Sequence, residues 1–288
     1  MKDEELFEKL KVLSDTVWEG RARYPDILRW LDNFDGSFGD ESEERLHALY
    51  LLSQFMYFAS DEVRVLLRSL HRDHYRYPLV EKIRRSHNDT LDSDLIREKL
   101  KERMSATRFL AVGNPSESGT HLLYLYRQVN KLPTEVFSAA GDALSVDPET
   151  KEKVLSDPEV DRYIFIDDFS GTGRQALRYS KNVADPMRKI NPDLIIEYHV
   201  CMATERAMDK IEEKGVFNRV RAVFELDQSF KAFGENSRFF PAHLEKSLVV
   251  SKEDARRTAL KYGRRLCDSD PLGYKRSQLL VGFHHNIP

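Results

Sequence analysis

Cysteine is nearly absent: the 288 residues contain only Cys201 and Cys267. Two thiols without metal-ligand or redox spacing exclude a disulfide-stapled framework and a cysteine zinc site, and they fit a reducing compartment. Long apolar runs are also missing, and no stretch approaches the roughly 20 residues that a membrane helix needs. An excess of one charge is missing too, because 45 basic residues stand against 48 acidic ones for a net charge of −3. No global field therefore draws the chain to nucleic acid or to a membrane surface. The N-terminus, MKDEE, is polar and acidic and has no leader or lipidation pattern, so a cytoplasmic protein is expected. No fixed period repeats within residues 1–105, so no solenoid is expected there.

What is present describes a globular protein: 41% hydrophobic and 32% charged residues, enough for one large domain or two ordinary ones. Residues 1–105 read as an all-α region. Leu6, Leu10, Leu13 and Val17 repeat on one helical face, and Pro25 opens a short helix. A strongly apolar helix is expected from Glu43 through Phe58, Ser60 reads as the start of the next, and Pro78 opens another. Basic residues gather between Arg64 and Arg103, with Tyr75 and Tyr77 among them. Direct nucleic-acid binding is one reading of this cluster, but solvated helix faces balanced by nearby acids are the plainer one. His71 and His74 sit one turn apart, and without a further ligand in sequence they read as packed or surface histidines.

From residue 106 the pattern changes to alternating strands and helices. The central stretch is YIFIDDFSGTGRQ at residues 163–175. Its apolar run reads as a buried parallel strand, and the Ser-Gly-Thr-Gly turn leads into a helix whose first amides face the turn. Turn, hydroxyls and helix dipole together suit an anion. Asp167 and Asp168 stand at the carboxyl end of the strand, where open α/β sheets bind ligands. A second strand at residues 108–112 runs into GNPSESG at residues 113–119 and then a helix, another anion-suited corner. Strong strand patterns recur at residues 194–203 and 219–226, with a helix capped by Thr204 between them. Strand-helix-strand repetition implies right-handed crossovers and a parallel sheet. Residues 142–161 are polar, and Lys151 and Lys153 read as helix-surface residues.

The strand-acid-acid-turn stretch resembles the phosphoribosyl pyrophosphate signature of type I phosphoribosyltransferases. The fold this resemblance implies is a Rossmann-like parallel sheet over residues 106–288, preceded by the helical region 1–105. It places the ribose hydroxyls, and with them the catalytic role, on Asp167 and Asp168. The 5-phosphate falls to Ser170, Gly171, Thr172, Gly173, Arg174 and Gln175, and the pyrophosphate to Gly113, Ser116, Ser118 and Gly119. The implied cofactor is Mg²⁺, carried by the substrate and reached by Asp167 and Asp168. The chain departs from the family pattern in two places: Gln175 stands where Ser or Thr is usual, and Gly171 where purine-using members often have an acid.

The C-terminal stretch, LGYKRSQLLVGFHHNIP at residues 272–288, is similar to that of one branch, the phosphoribosyltransferase-like domains of bacterial anti-phage defence operons, some of them retron-linked. Members of that branch usually run a few residues past the final proline, so a shortened or partner-completed C-terminus is expected. The resemblance implies phosphoribosyl pyrophosphate or a related nucleotide as ligand. It also implies protein partners from the same operon, held through the helical region, and no membrane. Three functions follow from it. The first is a defence effector that transfers or hydrolyses a phosphoribosyl or related nucleotide group. The second is a non-catalytic nucleotide-sensing or scaffold module, and the third a nucleobase salvage enzyme, against which Gly171 argues. Acceptor recognition by His284, His285, Phe239 or Phe240 stands beside plain packing for each of them.

Overall fold

The computed structural model describes residues 3–37, 39–113, 118–241 and 250–286. In chain order the helices and strands are α1 (Asp3–Thr16), α2 (Tyr24–Leu31), α3 (Glu41–Ser53), β1 (Met56–Phe58), α4 (Ser60–His71), α5 (Tyr77–Ser86), α6 (Ser93–Ser105) and β2 (Thr107–Ala111). They continue with α7 (Ser118–Asn130), β3 (Leu144–Val146), β4 (Lys153–Leu155), β5 (Arg162–Ser170), α8 (Arg174–Tyr179), α9 (Asp185–Ile190) and β6 (Ile195–Thr204). The last are α10 (Glu205–Glu213), β7 (Arg219–Leu226), α11 (Lys252–Leu266) and β8 (Val281–Phe283). The architecture is the expected mixed α/β one, with a parallel sheet. Its compact units are residues 1–63 with 226–288, and residues 64–225. The helical stretch 1–105 is thus shared, α1 to α3 lying in the first unit and α5 and α6 in the second.

The first unit is built around an apolar cluster that includes Leu6, Leu10, Trp18, Leu49, Phe239 and Phe240. The two phenylalanines pack in this core, and the Tyr50 hydroxyl donates to the Phe239 carbonyl. Here the structure differs from the helix expected over residues 43–58. α3 stops at Ser53, and Met56, Tyr57 and Phe58 form a strand in parallel register with Val281, Gly282 and Phe283. Local apolar content favours helix or strand equally in so short a run, and the partner strand near the C-terminus decides it.

In the second unit the strand order is β2-β5-β6-β7, with β2 and β6 both parallel to β5. Side chains alternate between the faces. Leu110, Tyr163, Phe165, Ile196, Tyr198 and Val200 share one apolar cluster with Ala176, Met187 and Ile211 of the covering helices. Phe109 faces the other way, into the rings of His71, Tyr75 and Tyr126. Lys153 lies in β4, paired antiparallel with β3, and Lys151 sits in the connecting turn at φ +61, so neither is on a helix. Asp147 organises that turn by accepting from the amides of Glu149 and Thr150.

Pro78, expected to open a helix, is instead taken into a longer one, and Pro186 is taken in the same way. A π turn over Arg72–Arg76 joins α4 to α5 just before Pro78, and another over Ser180–Ala184 joins α8 to α9 just before Pro186. Proline has no N–H and crowds the carbonyl of residue i−4. Widening the preceding turn by one residue accommodates it without ending the helix.

Candidate functional site

The two glycine turns lie at the same end of neighbouring parallel strands. The Val112 N–H, just past β2, donates to the Ile166 carbonyl at 3.1 Å, so the first turn begins beside the acid pair. Gly113 has φ +120. A Cβ on Gly119 would lie 2.7 Å from the Val112 carbonyl oxygen and 2.9 Å from Ala111 Cβ. Only glycine lets α7 start this close to the strand. Ser116 and the Ser118 side chain lie outside the described residues.

The second turn is gripped by its carbonyls. The Thr204 hydroxyl donates to the Gly171 carbonyl at 2.8 Å while accepting the Ala207 N–H at 3.1 Å, so one side chain both caps α10 and holds the turn. Lys210 Nζ approaches the Thr172 carbonyl at 3.4 Å. In a trans peptide the N–H points opposite to the C=O. The N–H groups of Thr172 and Gly173 are therefore turned away from α10, and neither meets an acceptor among the described residues. Gly173 is the cap residue of α8, left-handed at φ +67, and has no side chain to fill the first turn of the helix. A Cβ there would meet Ile211 Cγ1 at 3.0 Å and the Ala207 carbonyl oxygen at 3.1 Å. The arrangement is an anion nest at the start of a helical segment that runs on to Ile190. Ser170 is buried, Gly171 and Thr172 are half-buried, and Arg174 and Gln175 are exposed.

Asp167 and Asp168 are adjacent in sequence; strand alternation gives them different neighbours, yet their carboxyls still meet in a side-chain hydrogen bond at the end of the strand. Both are buried, at 6% and 4% exposure. Asp167 Oδ2 accepts from the Tyr198 hydroxyl at 2.7 Å and its Oδ1 from the Asp168 N–H at 3.0 Å, so the protein itself engages both oxygens. Burial, with the neighbouring Asp168 charge, holds the Asp167 carboxyl well above the usual carboxylate range. Asp168 Oδ1 accepts from the Phe169 N–H at 2.7 Å. Cys201 lies on β6 between the partners of Asp167 and Phe169, and burial, then Asp168 and Asp167, push its thiol up and keep it protonated.

Tyr198, Thr204 and Lys210 were not expected at this site. Tyr198 was visible as a polar-tipped ring in an apolar strand, and Thr204 as a cap. Their contacts with Asp167 and residue 171 depend on the β5-β6 register and have no local signature. Below the acids on β6, Glu197 is buried, accepting from Arg162 Nη1 at 3.0 Å and pairing with His199 Nε2 at 3.0 Å. Burial alone would raise the Glu197 carboxyl, but the His199 hydrogen bond and the nearby charges outweigh it and lower the group. His199 is wholly enclosed, and burial keeps it neutral with Nε2 as the donor to Glu197. His71 is packed against Tyr126, its Nδ1 at 3.0 Å from the hydroxyl, and burial lowers it to about 4. No group of three or more His, Cys, Asp or Glu residues suited to a metal ion occurs among the described residues. No helix among them is long and apolar enough to cross a membrane.

The model of the PRTase-CE family matches residues 27–288. No curated protein matches. The AQ2163 protein from Aquifex aeolicus is structurally similar with 12% identity and a TM-score of 0.32, over 71% of this chain and 86% of that one. Orotate phosphoribosyltransferase from Aeropyrum pernix is similar with 12% identity and a TM-score of 0.27, over 48% of this chain and 78% of that one. Most of the chain lies within the family match, and it carries both glycine turns and the acid pair: this is a phosphoribosyltransferase-like protein that belongs to the PRTase-CE family.

Proposed function

We propose that the chain binds phosphoribosyl pyrophosphate as its Mg²⁺ complex and serves as an effector in a bacterial anti-phage defence system. The 5-phosphate sits on residues 170–175, the ribose hydroxyls at Asp167 and Asp168, and the pyrophosphate on the loop from Gly113 to Gly119. The observation that carries the reading is the turn at residues 171–173. Its carbonyls are held by Thr204 and Lys210, and the Thr172 and Gly173 amides are left to face an anion. The defence role rests on the motif resemblance of the C-terminal stretch.

A site of this kind works mainly by electrostatics and positioning. In transfer, the ribose C1–O bond to pyrophosphate breaks, the leaving group takes the electron pair, and the acceptor forms the new bond to C1. This chain's contribution is to hold the 5-phosphate on fixed amides and the diol on buried carboxylates, so that C1 is presented in one orientation. A Mg²⁺ ion carried by the substrate would keep water and substrate phosphates as most of its ligands, with Asp167 and Asp168 reaching it through the substrate. The bound ion supplies charge neutralisation of the departing pyrophosphate.

A second reading, nucleotide binding without turnover, is favoured by the two internal hydrogen bonds that engage both oxygens of Asp167. Calorimetry with phosphoribosyl pyrophosphate and Mg²⁺, followed by a pyrophosphate-release assay, separates the two. Binding is expected in the wild type and lost in Asp168→Asn, whose circular dichroism stays native. Wild-type affinity in that variant refutes the site. Binding without release selects the second reading.

A further inference from the structure

At the opposite end of the same sheet lies a cleft of about 910 Å³. It opens where β5, β6 and β7 begin, with Arg162, Ile195 and Arg219, their first residues, in its wall. α5 forms the other side. The floor is apolar, made by Tyr75, Leu79 and Ile195. Tyr77 stands on the rim with 64% of its surface exposed. The volume is in the upper range of small-molecule sites.

The charges of the cleft do not cancel. Of its two carboxylates, Glu197 is engaged by Arg162 at 3.0 Å and by His199 at 3.0 Å, and Glu81 is paired with Arg84 at 3.0 Å. Lys82, Arg85 and Arg219 also line it, and none of the three forms an ion pair among the described residues. Lys82 and Arg85 are three residues apart on α5 and so share one side of that helix, while Arg219 faces them from the start of β7. His74 is held neutral by burial and contributes no charge at neutral pH. An apolar floor with an exposed phenol ring at its edge, Lys82 and Arg85 on one wall and Arg219, which also acts on Glu197 from a distance, on the other fits a ligand with a flat ring at one end and several negative charges at the other. Inorganic phosphate would leave the floor unused, and a purely apolar ligand would leave the cations unmatched.

We propose that this cleft is a second ligand site, separate from the acid-and-turn end of the sheet, and that it binds a nucleoside polyphosphate. The base lies over the floor beside Tyr77, and the phosphates meet Lys82, Arg85 and Arg219. The proposal does not rest on phosphoribosyl pyrophosphate binding.

The test is calorimetric titration of the full chain with ATP, GTP, CTP and UTP, with inorganic triphosphate and a twelve-residue oligo-dT as comparison probes. At least one nucleoside triphosphate is expected to bind saturably below millimolar concentration, and more tightly than inorganic triphosphate. The double variant Lys82→Glu with Arg85→Glu weakens it by about tenfold or more, and so does Arg219→Glu on a different element, each with an unchanged urea midpoint. Tyr77→Ala weakens it by about tenfold, the size of one base–aromatic stack. Asp168→Asn leaves it unchanged. The proposal is overturned if no nucleotide binds or if the charge reversals leave affinity intact. It is also overturned if Asp168→Asn abolishes binding, which would move the ligand to the other end of the sheet. Binding of oligo-dT without binding of any mononucleotide overturns it as well, in favour of a nucleic-acid groove.

Discussion

The Tyr198–Asp167 hydrogen bond is the part of the acid site whose energy can be worked out most directly. Tyr198→Phe removes only the hydroxyl, which is buried and donates to Asp167 Oδ2 at 2.7 Å. Between neutral groups such a bond is worth about 1 kcal/mol, and to a charged partner roughly 1.5–3 kcal/mol. Which value applies depends on the protonation of Asp167. Burial and then Asp168 raise that carboxyl well above its ordinary value, while the Tyr198 hydroxyl lowers it. Tyr198 itself is pushed up by burial, so it remains a donor throughout.

The sign of the pH dependence follows from linkage. The folded chain keeps a proton on Asp167 at pH values where the unfolded chain has released it. The stability this group contributes is therefore greatest in acid and falls as pH rises from the ordinary carboxylate value toward the raised one. Tyr198→Phe raises the folded value further, so its penalty is expected to grow with pH. We expect a loss of about 1 kcal/mol at acid pH, where Asp167 keeps its proton, including the bond that Tyr198 shares with Ser170, rising toward roughly 2–3 kcal/mol at the higher pH where Asp167 ionises. Urea denaturation of wild type and variant at the two pH values measures it. Equal penalties at both would show that Asp167 does not titrate in this range, and a negligible penalty would remove the hydrogen bond from the account.

Gly173→Ala places a side chain at φ +67, with contacts at 3.0 and 3.1 Å to Ile211 and the Ala207 carbonyl. A loss of about 1–3 kcal/mol in urea denaturation is expected. The matched control, Gly215→Ala at φ +59, has open space around its Cβ and should lose only about 1 kcal/mol; equal losses would refute the packing argument. Arg162→Met leaves Glu197 buried without its guanidinium partner. Because Arg162 is 13% exposed, the cost should fall at the lower end of the buried-pair range, about 3 kcal/mol at neutral pH. Adding Glu197→Gln should recover most of it, and a double variant as unstable as the sum of the singles would show that the two residues are not coupled.

How much of this was legible beforehand differs from element to element, for a physical reason. β5 and its turn could be read because everything that specifies them is local: four consecutive apolar residues, then glycines at positions where φ or close packing excludes a side chain. The cap at Thr204 was equally local, and its side chain accepts an amide of the first turn as expected. β1 was not legible, since Met56, Tyr57 and Phe58 become a strand only through pairing with residues near the other end of the chain. The joining of α4 to α5 through Pro78 was missed because a π turn depends on whether the flanking helices are held in line by packing, which a proline read in isolation does not reveal.

The acid pair is the more instructive case. Its residues were identified from the motif, but treating them as one unit overlooked the period-two alternation of a strand. Alternation gives them different surroundings: Asp167 is bound to Tyr198 over the α8 and α9 side, and Asp168 stands by Cys201 on the face that also holds His199 and Glu197. Two carboxylates in unlike surroundings ionise unequally. The one with both oxygens engaged and its proton retained suits a fixed support, and the other suits direct contact with a diol. On that division Tyr198→Phe should act chiefly on stability and its pH dependence, and Asp168→Asn chiefly on binding. The two variants thus test separately whether the pair works as a support and a contact or as equivalent ligands.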